Sequence, residues 1–348
     1  MAQLKVGIIG CGGRGREHAL GYKEAADKVK IVAVADPVLE SAQKLAETYS
    51  VENIHQDYKE MLANNELDIV SVCTWPEQHR EQVVDAVNAG VKAIHCEKPM
   101  APTWGEARAM HQAAEEAGVQ LTFCHQRRFN PQFVEARRLL QSGAIGDLQR
   151  IEGACPNLFD WGTHWFDMFF FLNNETPAQW VMGQIDLTNT RTVFGVPVDA
   201  AGLSYTLFEN GVAGLMVTGK ETGINFSVRI IGSKGIIDLP HCDHGDILLL
   251  SNNAQADENG WQTIKIENTP RYAGSIYSDS TIDSVLEVIE CLESGKEPLL
   301  STRNAVRATE LIFATYESAR RGGRVQLPLD IEDSPLISML AEREVQSV

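Results

Sequence analysis

The chain has 348 residues, which at about 150 residues per domain predicts two domains, each large enough for a hydrophobic core. Hydrophobic residues make up 44% of the sequence and charged residues 22%, a composition typical of globular proteins rather than of disordered or fibrous ones. The formal net charge of -17 argues against nucleic acid or an anionic membrane as a partner, because both require a basic surface. An anionic substrate in a locally positive pocket stays compatible with this charge.

Neither a signal peptide nor a membrane span is predicted. The apolar stretch at the N-terminus is short and is followed at once by glycines, whereas a signal peptide needs a longer apolar region. The most apolar segment, 165–172, is too short to cross a bilayer and contains Asp167. The seven cysteines are scattered and form no CxxC pair, so neither a disulfide framework nor a metal site is indicated. We therefore expect a cytoplasmic protein that binds no metal.

Short apolar runs alternate with helical patterns in the first third of the chain. These runs are apolar on both faces, as strands of a buried parallel sheet are, and their alternation with helices is typical of a doubly wound α/β fold. The predicted strands cover 6–9, 31–35, 68–73, 93–97 and 120–124, and the predicted helices include 39–49, 78–89 and 105–117. We therefore expect a doubly wound α/β domain over residues 1–124.

Residues 125–348 have a different pattern, in which strands are separated by hairpin turns. The turns at 210–211 and 232–235 have hairpin sequences, so the sheet that they connect is predicted to be mostly antiparallel. The predicted strands are 203–208, 212–218, 226–231 and 236–239, and the predicted helices are 131–140, 163–172, 280–292 and 305–320. We expect a second domain of the α+β class, with a partly extended acidic tail after Leu329.

A glycine-rich turn, GCGGRG at 10–15, follows the first strand and opens a helix. In a dinucleotide-binding turn the first glycine allows a tight bend, the second lets the backbone approach the pyrophosphate, and the third lets the helix pack on the strand. Asp36 ends the second strand about 20 residues later, where a carboxylate binds the ribose hydroxyls of NAD and repels the 2′-phosphate of NADP. The sequence therefore predicts NAD as the cofactor, with a Rossmann-like scaffold that binds no nucleotide as the alternative.

Lys98 follows the strand predicted over 93–97. Ligands of open α/β sheets bind at the carboxyl ends of the strands, so we expect this lysine at the reactive end of the cofactor, with Pro99 fixing the backbone beside it. A solvated lysine at the end of the strand is the alternative.

Asp160 and His164 are four residues apart, a spacing that on a helix places both side chains on one face. A carboxylate can orient a histidine and stabilise its imidazolium, and the histidine pKa suits general-base catalysis near neutral pH. The alternatives are a helix N-cap at Asp160 and a core histidine at His164.

Several motifs together resemble the Gfo/Idh/MocA family, named for glucose–fructose oxidoreductase, inositol dehydrogenase and a rhizopine-catabolism protein. The matching segments are GIIGCGGRG at 7–15, VADP at 34–37, CTWPEQH at 73–79, CEKPMA at 96–101, DWGTHWFD at 160–167 and a late stretch at 297–328. The likeness covers nearly the whole chain, and EKP followed by D-x3-H is a more specific combination than the glycine turn. One departure is the segment 154–159, which lacks the usual glycines and is therefore expected to fold differently.

The resemblance implies a Rossmann domain followed by a domain with a large open-faced sheet that commonly forms an oligomer interface, so we expect a homodimer or homotetramer. A late helix near 303–321 is expected to pack back on the first domain. The resemblance also implies that Lys98, Asp160 and His164 form the catalytic group and that the bond before Pro99 is cis, as in many members. The expected cofactor-binding residues are Gly10, Gly12, Gly13, Arg14, Gly15, Asp36, Thr74, Trp75, His79 and Glu97.

Aromatic and basic side chains near these motifs suggest contacts with a carbohydrate-like substrate. Trp161 and Trp165 flank His164, and aromatic faces suit the apolar face of a sugar, with core packing as the alternative, above all for Trp165. Arg127 and Arg128 resemble an arginine near the substrate mouth of the family, with a surface cap as the alternative. The expected substrate-binding residues are Lys98, Arg127, Trp161 and His164.

We therefore expect an NAD-dependent oxidoreductase that moves a hydride between the nicotinamide and a secondary hydroxyl of a sugar, polyol or sugar derivative. His164 is expected to be the base, Asp160 to support it, and Lys98 to stabilise the developing alkoxide, with the share of the proton between lysine and histidine left open. The alternatives are a glycoside hydrolase that uses NAD for transient oxidation and elimination, and a non-catalytic sugar sensor, which the intact catalytic group disfavours.

Overall fold

The computed structural model describes residues 3–220, 224, 227–241, 245–251, 257, 259–267, 269–272 and 276–346. Cys242, and Phe226 at the start of one predicted strand, lie outside these residues. Within the described part, none of the helices is both long enough and apolar enough to cross a membrane. The chain divides into two compact units, the first made of 1–102, 106–126 and 277–306, the second of 103–105, 127–276 and 307–348.

The strands and helices in chain order are β1 (Leu4–Ile9), α1 (Gly13–Glu24), β2 (Val29–Ala35), α2 (Leu39–Tyr49), β3 (Asn53–His55), α3 (Tyr58–Asn64), β4 (Ile69–Val72), α4 (Pro76–Asn88), β5 (Ala93–Cys96), α5 (Trp104–Ala117), β6 (Gln120–Phe123), α6 (Pro131–Gln141), β7 (Leu148–Cys155), α7 (Gly162–Leu172), β8 (Ala178–Asp186), β9 (Arg191–Val193), β10 (Val196–Val198), β11 (Ala201–Phe208), β12 (Ala213–Gly219), β13 (Val228–Gly232), β14 (Gly235–Leu239), β15 (Ile247–Ser251), β16 (Trp261–Ile264), α8 (Ile276–Ser294), α9 (Thr302–Arg321), β17 (Val325–Gln326) and α10 (Pro335–Gln346). A short 3₁₀ helix lies at Gln126–Phe129.

The first unit is built on a six-stranded parallel sheet in the order β3-β2-β1-β4-β5-β6. Its strands are apolar on both faces because helices cover both, and Val6, Ile8 and Val70 are completely buried. The strand order reverses between β1 and β4, which places a crevice at the carboxyl ends of these two strands. Helix α8 completes the core from a distant part of the chain, since Val285 packs with the β1 side chains.

The second unit contains a nine-stranded sheet in the order β16-β15-β14-β13-β7-β12-β11-β8-β17. Every neighbouring pair is antiparallel except β7 and β12, so the predicted mostly antiparallel sheet is confirmed. Helix α7 is buried along its whole length, and its phenylalanines fill the core under one face of the sheet. On the other face, Met182 and Leu203 are 52% and 47% exposed.

The tail is more ordered than the sequence suggested. The acidic residues after Leu329 predict a partly extended tail, yet Pro335–Gln346 form helix α10. Leu336 is completely buried and anchors the helix, which explains the difference, because a few apolar positions outweigh the local charge once a surface is available.

Arg128 is a structural residue of the second unit. Its side chain is fully buried, its Nε and Nη2 atoms contact both carboxylate oxygens of Asp167 at 2.8–3.1 Å, and its Nη1 contacts Glu175. A buried arginine requires such a bidentate partner, since an unpaired charge in the core would cost several kcal/mol. The α7 carboxylate therefore fixes the short helix that carries Arg128.

We expect Asp167→Ala to destabilise the protein by about 3 kcal/mol, because it removes the main partner of a buried guanidinium. Glu135→Ala is the control, since its partner Arg138 is 63% exposed and such surface pairs contribute less than about 1 kcal/mol. Urea unfolding midpoints of the two variants measure the difference. Equal shifts would contradict a special role for the buried pair.

Candidate active site

The glycine turn between β1 and α1 has the geometry of a phosphate cradle. Gly10 has φ +89° and a Cβ there would lie 2.6 Å from the Cys73 carbonyl oxygen, while a Cβ on Gly15 would lie 2.0 Å from that of Gly10. A Cβ on Gly12 or Gly13 would meet no heavy atom within 4 Å. The turn therefore needs glycine at its first and last positions for packing, and its middle leaves the N-terminus of α1 open to a ligand such as a pyrophosphate.

The carboxylate of Asp36 is fixed beside this turn. It accepts the backbone N–H of Cys11 at 2.7 Å and that of Val38 at 2.8 Å. A negative charge held at this point can bind ribose hydroxyls and repels an additional phosphate. The arrangement of the turn and this carboxylate fits NAD.

Arg14 and Glu97, both predicted as cofactor-binding residues, bind each other. The Nε of Arg14 donates to the Glu97 carboxylate at 2.7 Å, Nη2 lies 2.6 Å from the same oxygen, and the His18 ring also contacts it at 3.0 Å. Burial alone would raise the pKa of Glu97, but the Arg14 charge and the His18 hydrogen bond outweigh burial and hold this pKa well below its usual value. Glu97 is therefore an ionised buried carboxylate that joins α1 to the end of β5.

A polar layer that the motifs did not predict lies beneath this ion pair. Nδ1 of His18 contacts the Ser71 hydroxyl at 3.0 Å, and the Tyr22 hydroxyl lies 2.8 Å from the same oxygen. A signal was available, because Arg14, His18 and Tyr22 recur every four residues and so share one face of α1. That face meets the sheet, where an apolar stripe would be usual, so the polar repeat predicts an internal hydrogen-bond network.

His18, His95 and Cys124 also come together, with potential metal-ligand atoms within 4.8 Å of one another. The two rings stack at 4.7 Å, and each ring nitrogen already has a hydrogen-bond contact. Nη2 of Arg14 lies 3.4 Å from the Cys124 sulfur, and burial raises the pKa of this thiol to about 12. A cation next to a protonated thiol disfavours a metal ion, so we interpret the cluster as a hydrogen-bonded core.

Lys98 stands just after β5, and its backbone is fixed on both sides. Its N–H donates to the second Glu97 oxygen at 3.2 Å, and the peptide bond to Pro99 is cis, as the family resemblance implied. The buried His79 ring contacts the carbonyl oxygens of Pro99 and Met100 through Nδ1 and that of Thr74 through Nε2. Burial lowers the pKa of His79 and the contacts with these carbonyl oxygens oppose this shift, so the ring lies as a polar bridge between the loops after β4 and β5.

The loop after β4 places the remaining predicted cofactor residues. The Thr74 hydroxyl donates to Gln82 at 2.6 Å, and its methyl carbon would lie 3.2 Å from a Cβ on Gly10. Trp75 is the N-cap of α4 and is 58% exposed. Thr74 therefore borders the glycine turn, while the indole of Trp75 projects into solvent.

Asp160 and His164 belong to the second unit, and only His164 lies on a helix. Asp160 lies in a turn, and α7 begins only at Gly162 with Trp161 as its N-cap. Asp160 therefore lies outside α7, and Trp161 rather than Asp160 is the N-cap of this helix. Both side chains are buried, with His164 in the first turn of α7.

Arg127 stacks on aromatic rings beside these residues. Its guanidinium carbon lies 4.5 Å from the centroid of the Trp165 ring and 5.6 Å from that of Trp161. Trp165 is buried and donates its indole N–H to the Ala154 carbonyl oxygen, as a core residue does. Arg127 and Trp161 thus form one cation–π cluster with Trp165.

Family models match both parts of the chain. Residues 4–125 match the oxidoreductase family NAD-binding Rossmann fold of the Gfo/Idh/MocA family, and residues 149–327 match its C-terminal alpha/beta domain. The chain belongs to the Gfo/Idh/MocA oxidoreductase family. Its first domain is therefore an NAD-binding domain, as the glycine turn and Asp36 predicted.

Named relatives align over nearly their whole length. The chain is 27% identical to D-apiose dehydrogenase of Paraburkholderia graminis over 99% of the chain and 95% of the relative. It is 25% identical to scyllo-inositol 2-dehydrogenase (NAD(+)) of Bacillus subtilis over 93% of the chain and 96% of the relative. A levoglucosan dehydrogenase solved with NADH and levoglucosan shares the fold, with a TM-score of 0.81, 22% identity, and coverage of 94% of this chain and 100% of that one.

We expect Glu97→Gln to lower the free energy of unfolding by about 2 kcal/mol at pH 7, because the half-buried Arg14 loses its contact with an ionised, buried carboxylate. Since the folded pKa of Glu97 lies below its ordinary 4.5, the stabilisation is present above pH 4.5 and is lost as the pH falls below it. Urea unfolding from pH 7 to pH 3 should therefore show wild type and variant converging on the acid side.

Glu66→Gln is the matched control for this titration. Glu66 is 92% exposed in its pair with Lys5, so solvent screens the interaction and the variant should follow the wild type at every pH. A Glu97→Gln difference that stays constant down to pH 3 would show that the ion pair does not contribute in this way.

Proposed function

We propose that this protein is an NAD-dependent dehydrogenase that acts on a secondary hydroxyl of a sugar, polyol or sugar derivative. The main observation behind the proposal is the position of Lys98 at the carboxyl end of β5, where its backbone N–H donates to the ionised Glu97. The open glycine turn belongs to the same unit. The relatives named above are dehydrogenases of apiose and inositol, which supports an alcohol substrate. We propose no hydrolytic activity.

The first unit would hold the cofactor. The N-terminus of α1 would bind the pyrophosphate, Asp36 the adenosine ribose, and the loop of Thr74 and Trp75 the far half of the dinucleotide. When bound, the nicotinamide supplies the hydride acceptor. The Arg14–Glu97 pair would act beneath the cofactor by fixing the backbone of Lys98.

The catalytic roles follow from the chemistry of alcohol oxidation, in which the hydroxyl proton must leave as the carbonyl forms. His164 would accept this proton through a neutral ring nitrogen, and Asp160 would stabilise the resulting imidazolium. Lys98 would donate a hydrogen bond to the reacting oxygen and stabilise its developing negative charge. The buried position of His164 supports this, because a low-dielectric setting strengthens the interaction between the imidazolium and a carboxylate.

Substrate recognition would involve Arg127 and Trp161 of the second unit. The guanidinium of Arg127 carries N–H donors suited to hydroxyl or carboxylate oxygens. The aromatic ring of Trp161 suits the apolar face of a sugar ring. We therefore favour polyhydroxylated substrates, including acidic ones.

NAD reduction at 340 nm with a panel of pentoses, hexoses, inositols, anhydrosugars and aldonic acids tests this function. We expect Lys98→Met and His164→Ala each to lower kcat by about 100-fold or more, the usual contribution of a general acid or base, with NADH still bound. Lys92→Met is the matched control, because Lys92 pairs with Asp68 at the surface, and we expect it to keep full activity.

Two outcomes would contradict the proposal. Release of nitrophenol from nitrophenyl glycosides without net NADH formation would indicate hydrolysis by transient oxidation. Full dehydrogenase activity in both the Lys98→Met and the His164→Ala variants would remove these residues from the catalytic group.

We further propose that the second unit binds substrate and forms a homodimer or homotetramer through the open face of its nine-stranded sheet. Trp180, Met182, Leu203 and Tyr205 form an apolar patch there, in which the rings of Trp180 and Tyr205 lie 5.6 Å apart. Exposed apolar surface of this kind is typical of protein interfaces. Six described cysteines are free thiols, which supports a reducing compartment such as the cytoplasm.

Met182→Glu should dissociate the oligomer, because it places a charge in the centre of the apolar patch. Val134→Glu is the control, since Val134 is similarly exposed, at 48%, but lies on α6 away from the sheet. Light scattering should give a multiple of 38.4 kDa for the wild type and for the control, and one subunit mass for Met182→Glu. A wild type that scatters as a single subunit would exclude the oligomer.

A further inference from the structure

The loop between β7 and α7 rests on a buried carboxylate that the proposed chemistry does not use. Asp199, in the turn between β10 and β11, is completely buried. Its two oxygens lie 3.0 and 3.2 Å from the backbone nitrogen of Leu158, two residues before Asp160. The same carboxylate accepts the Tyr316 hydroxyl of α9 at 2.7 Å and the Thr218 hydroxyl of β12 at 2.9 Å.

Asp199 acts as the acceptor for all three partners. The Leu158 N–H can only donate, and the Tyr316 and Thr218 hydroxyls donate to Asp199 because an ionised carboxylate offers only acceptors. Burial raises the pKa of Asp199, and the hydrogen bonds from Tyr316, Leu158 and Thr218 oppose this in part. Burying a carboxyl group costs free energy of folding. Its presence at position 199 therefore points to a role in holding these three hydrogen-bond donors.

Hydrogen bonds of Asn157, the neighbour of Leu158, also fix the backbone of Asp160. The side-chain oxygen of Asn157 accepts the Asp160 N–H at 2.7 Å, and its backbone oxygen accepts the Gly162 N–H at 2.9 Å. Leu158 is completely buried, which leaves it little freedom to shift. The turn is thus fixed on each side of Asp160, up to the first residue of the helix that carries His164.

The loop itself contains no glycine. Residues 156–161 therefore lack the backbone freedom that glycine would provide. Tertiary contacts must therefore fix the conformation of the loop. Asp199 supplies one such contact, and α9 and β12 of the same unit hold Asp199 in place.

We propose that Asp199 and Tyr316 are positioning residues for catalysis: they hold the 156–161 loop so that Asp160 and His164 keep their productive geometry. This inference rests on the proposed dehydrogenase function. Neither residue touches substrate or cofactor in this scheme. Their contribution is to the turnover rate, because misplacement of a catalytic group by about 1 Å can cost about 100-fold in rate.

Tyr316→Phe tests the proposal, because it deletes one hydrogen bond to Asp199 and keeps the ring. Tyr58→Phe is the matched control, since it deletes a similar hydrogen bond, 2.8 Å long, to Asp85 in the first unit. Hydrogen–deuterium exchange of the amides at 157–162 reports the loop, NADH binding reports the first unit, and kcat and KM report catalysis. Melting temperature gives the overall stability of both variants.

We expect Tyr316→Phe to speed exchange in the loop and to lower kcat about tenfold, with NADH affinity unchanged and KM changed less than kcat. Tyr58→Phe should leave both kcat and loop exchange unchanged, because its hydrogen bond lies in the first unit. Asp199→Ala removes the acceptor of all three hydrogen bonds and should have the larger effect on kcat, and Tyr316→Phe remains informative if Asp199→Ala does not fold.

Unchanged loop exchange in Tyr316→Phe would overturn the brace itself. Faster exchange with an unchanged kcat would overturn the positioning role and leave a structural one. A wild type that is inactive on the whole panel would instead refute the proposed function, while the exchange data would still decide whether Asp199 and Tyr316 hold the loop.

Discussion

The first unit depends on one ion pair, that of the half-buried Arg14 with the buried Glu97. Glu97 accepts hydrogen bonds from two residues of α1 and from the backbone of Lys98, so the start of the first helix and the end of the fifth strand are fixed together. Because a buried carboxylate is stable only when its partners are in place, the glycine turn and the lysine loop cannot move independently without loss of stability. The cofactor cradle and the lysine are therefore parts of one rigid arrangement.

In the second unit, too, a buried carboxylate fixes the backbone of a loop. Asp199 accepts the backbone N–H of Leu158, as Glu97 accepts that of Lys98, and each loop carries a proposed catalytic residue. A carboxylate suits this task because it offers only acceptors and binds main-chain donors strongly, so it fixes the backbone rather than one side chain. The partners of the two carboxylates differ, since Glu97 is neutralised by an arginine while Asp199 is held by neutral hydroxyls and an amide.

The parallel sheet of the first unit was predictable because its physical requirement is local. A strand that is covered on both faces is mostly apolar rather than alternating, and five of the six strands were predicted from this pattern although each contains a polar or charged residue. The short β3 lacks it, since its side chains are half-buried or exposed. In the second unit, β7 was missed because Gln149, Arg150 and Glu152 interrupt its apolar positions, and α10 was missed because a few buried residues outweigh its local charge.

By itself, the sequence determined the class of the fold, the glycine turn, the acidic residue that selects NAD, and the candidates Lys98, Asp160 and His164, because each depends on residue type at short spacing. Only the tertiary structure decided that Arg14 and Glu97 bind each other, that Arg128 is a core residue, and that Asp160 precedes its helix. It also revealed Asp199 and Tyr316, which are 117 residues apart in the chain and meet through a single hydrogen bond. Such contacts follow from how distant elements pack, and no local pattern encodes them.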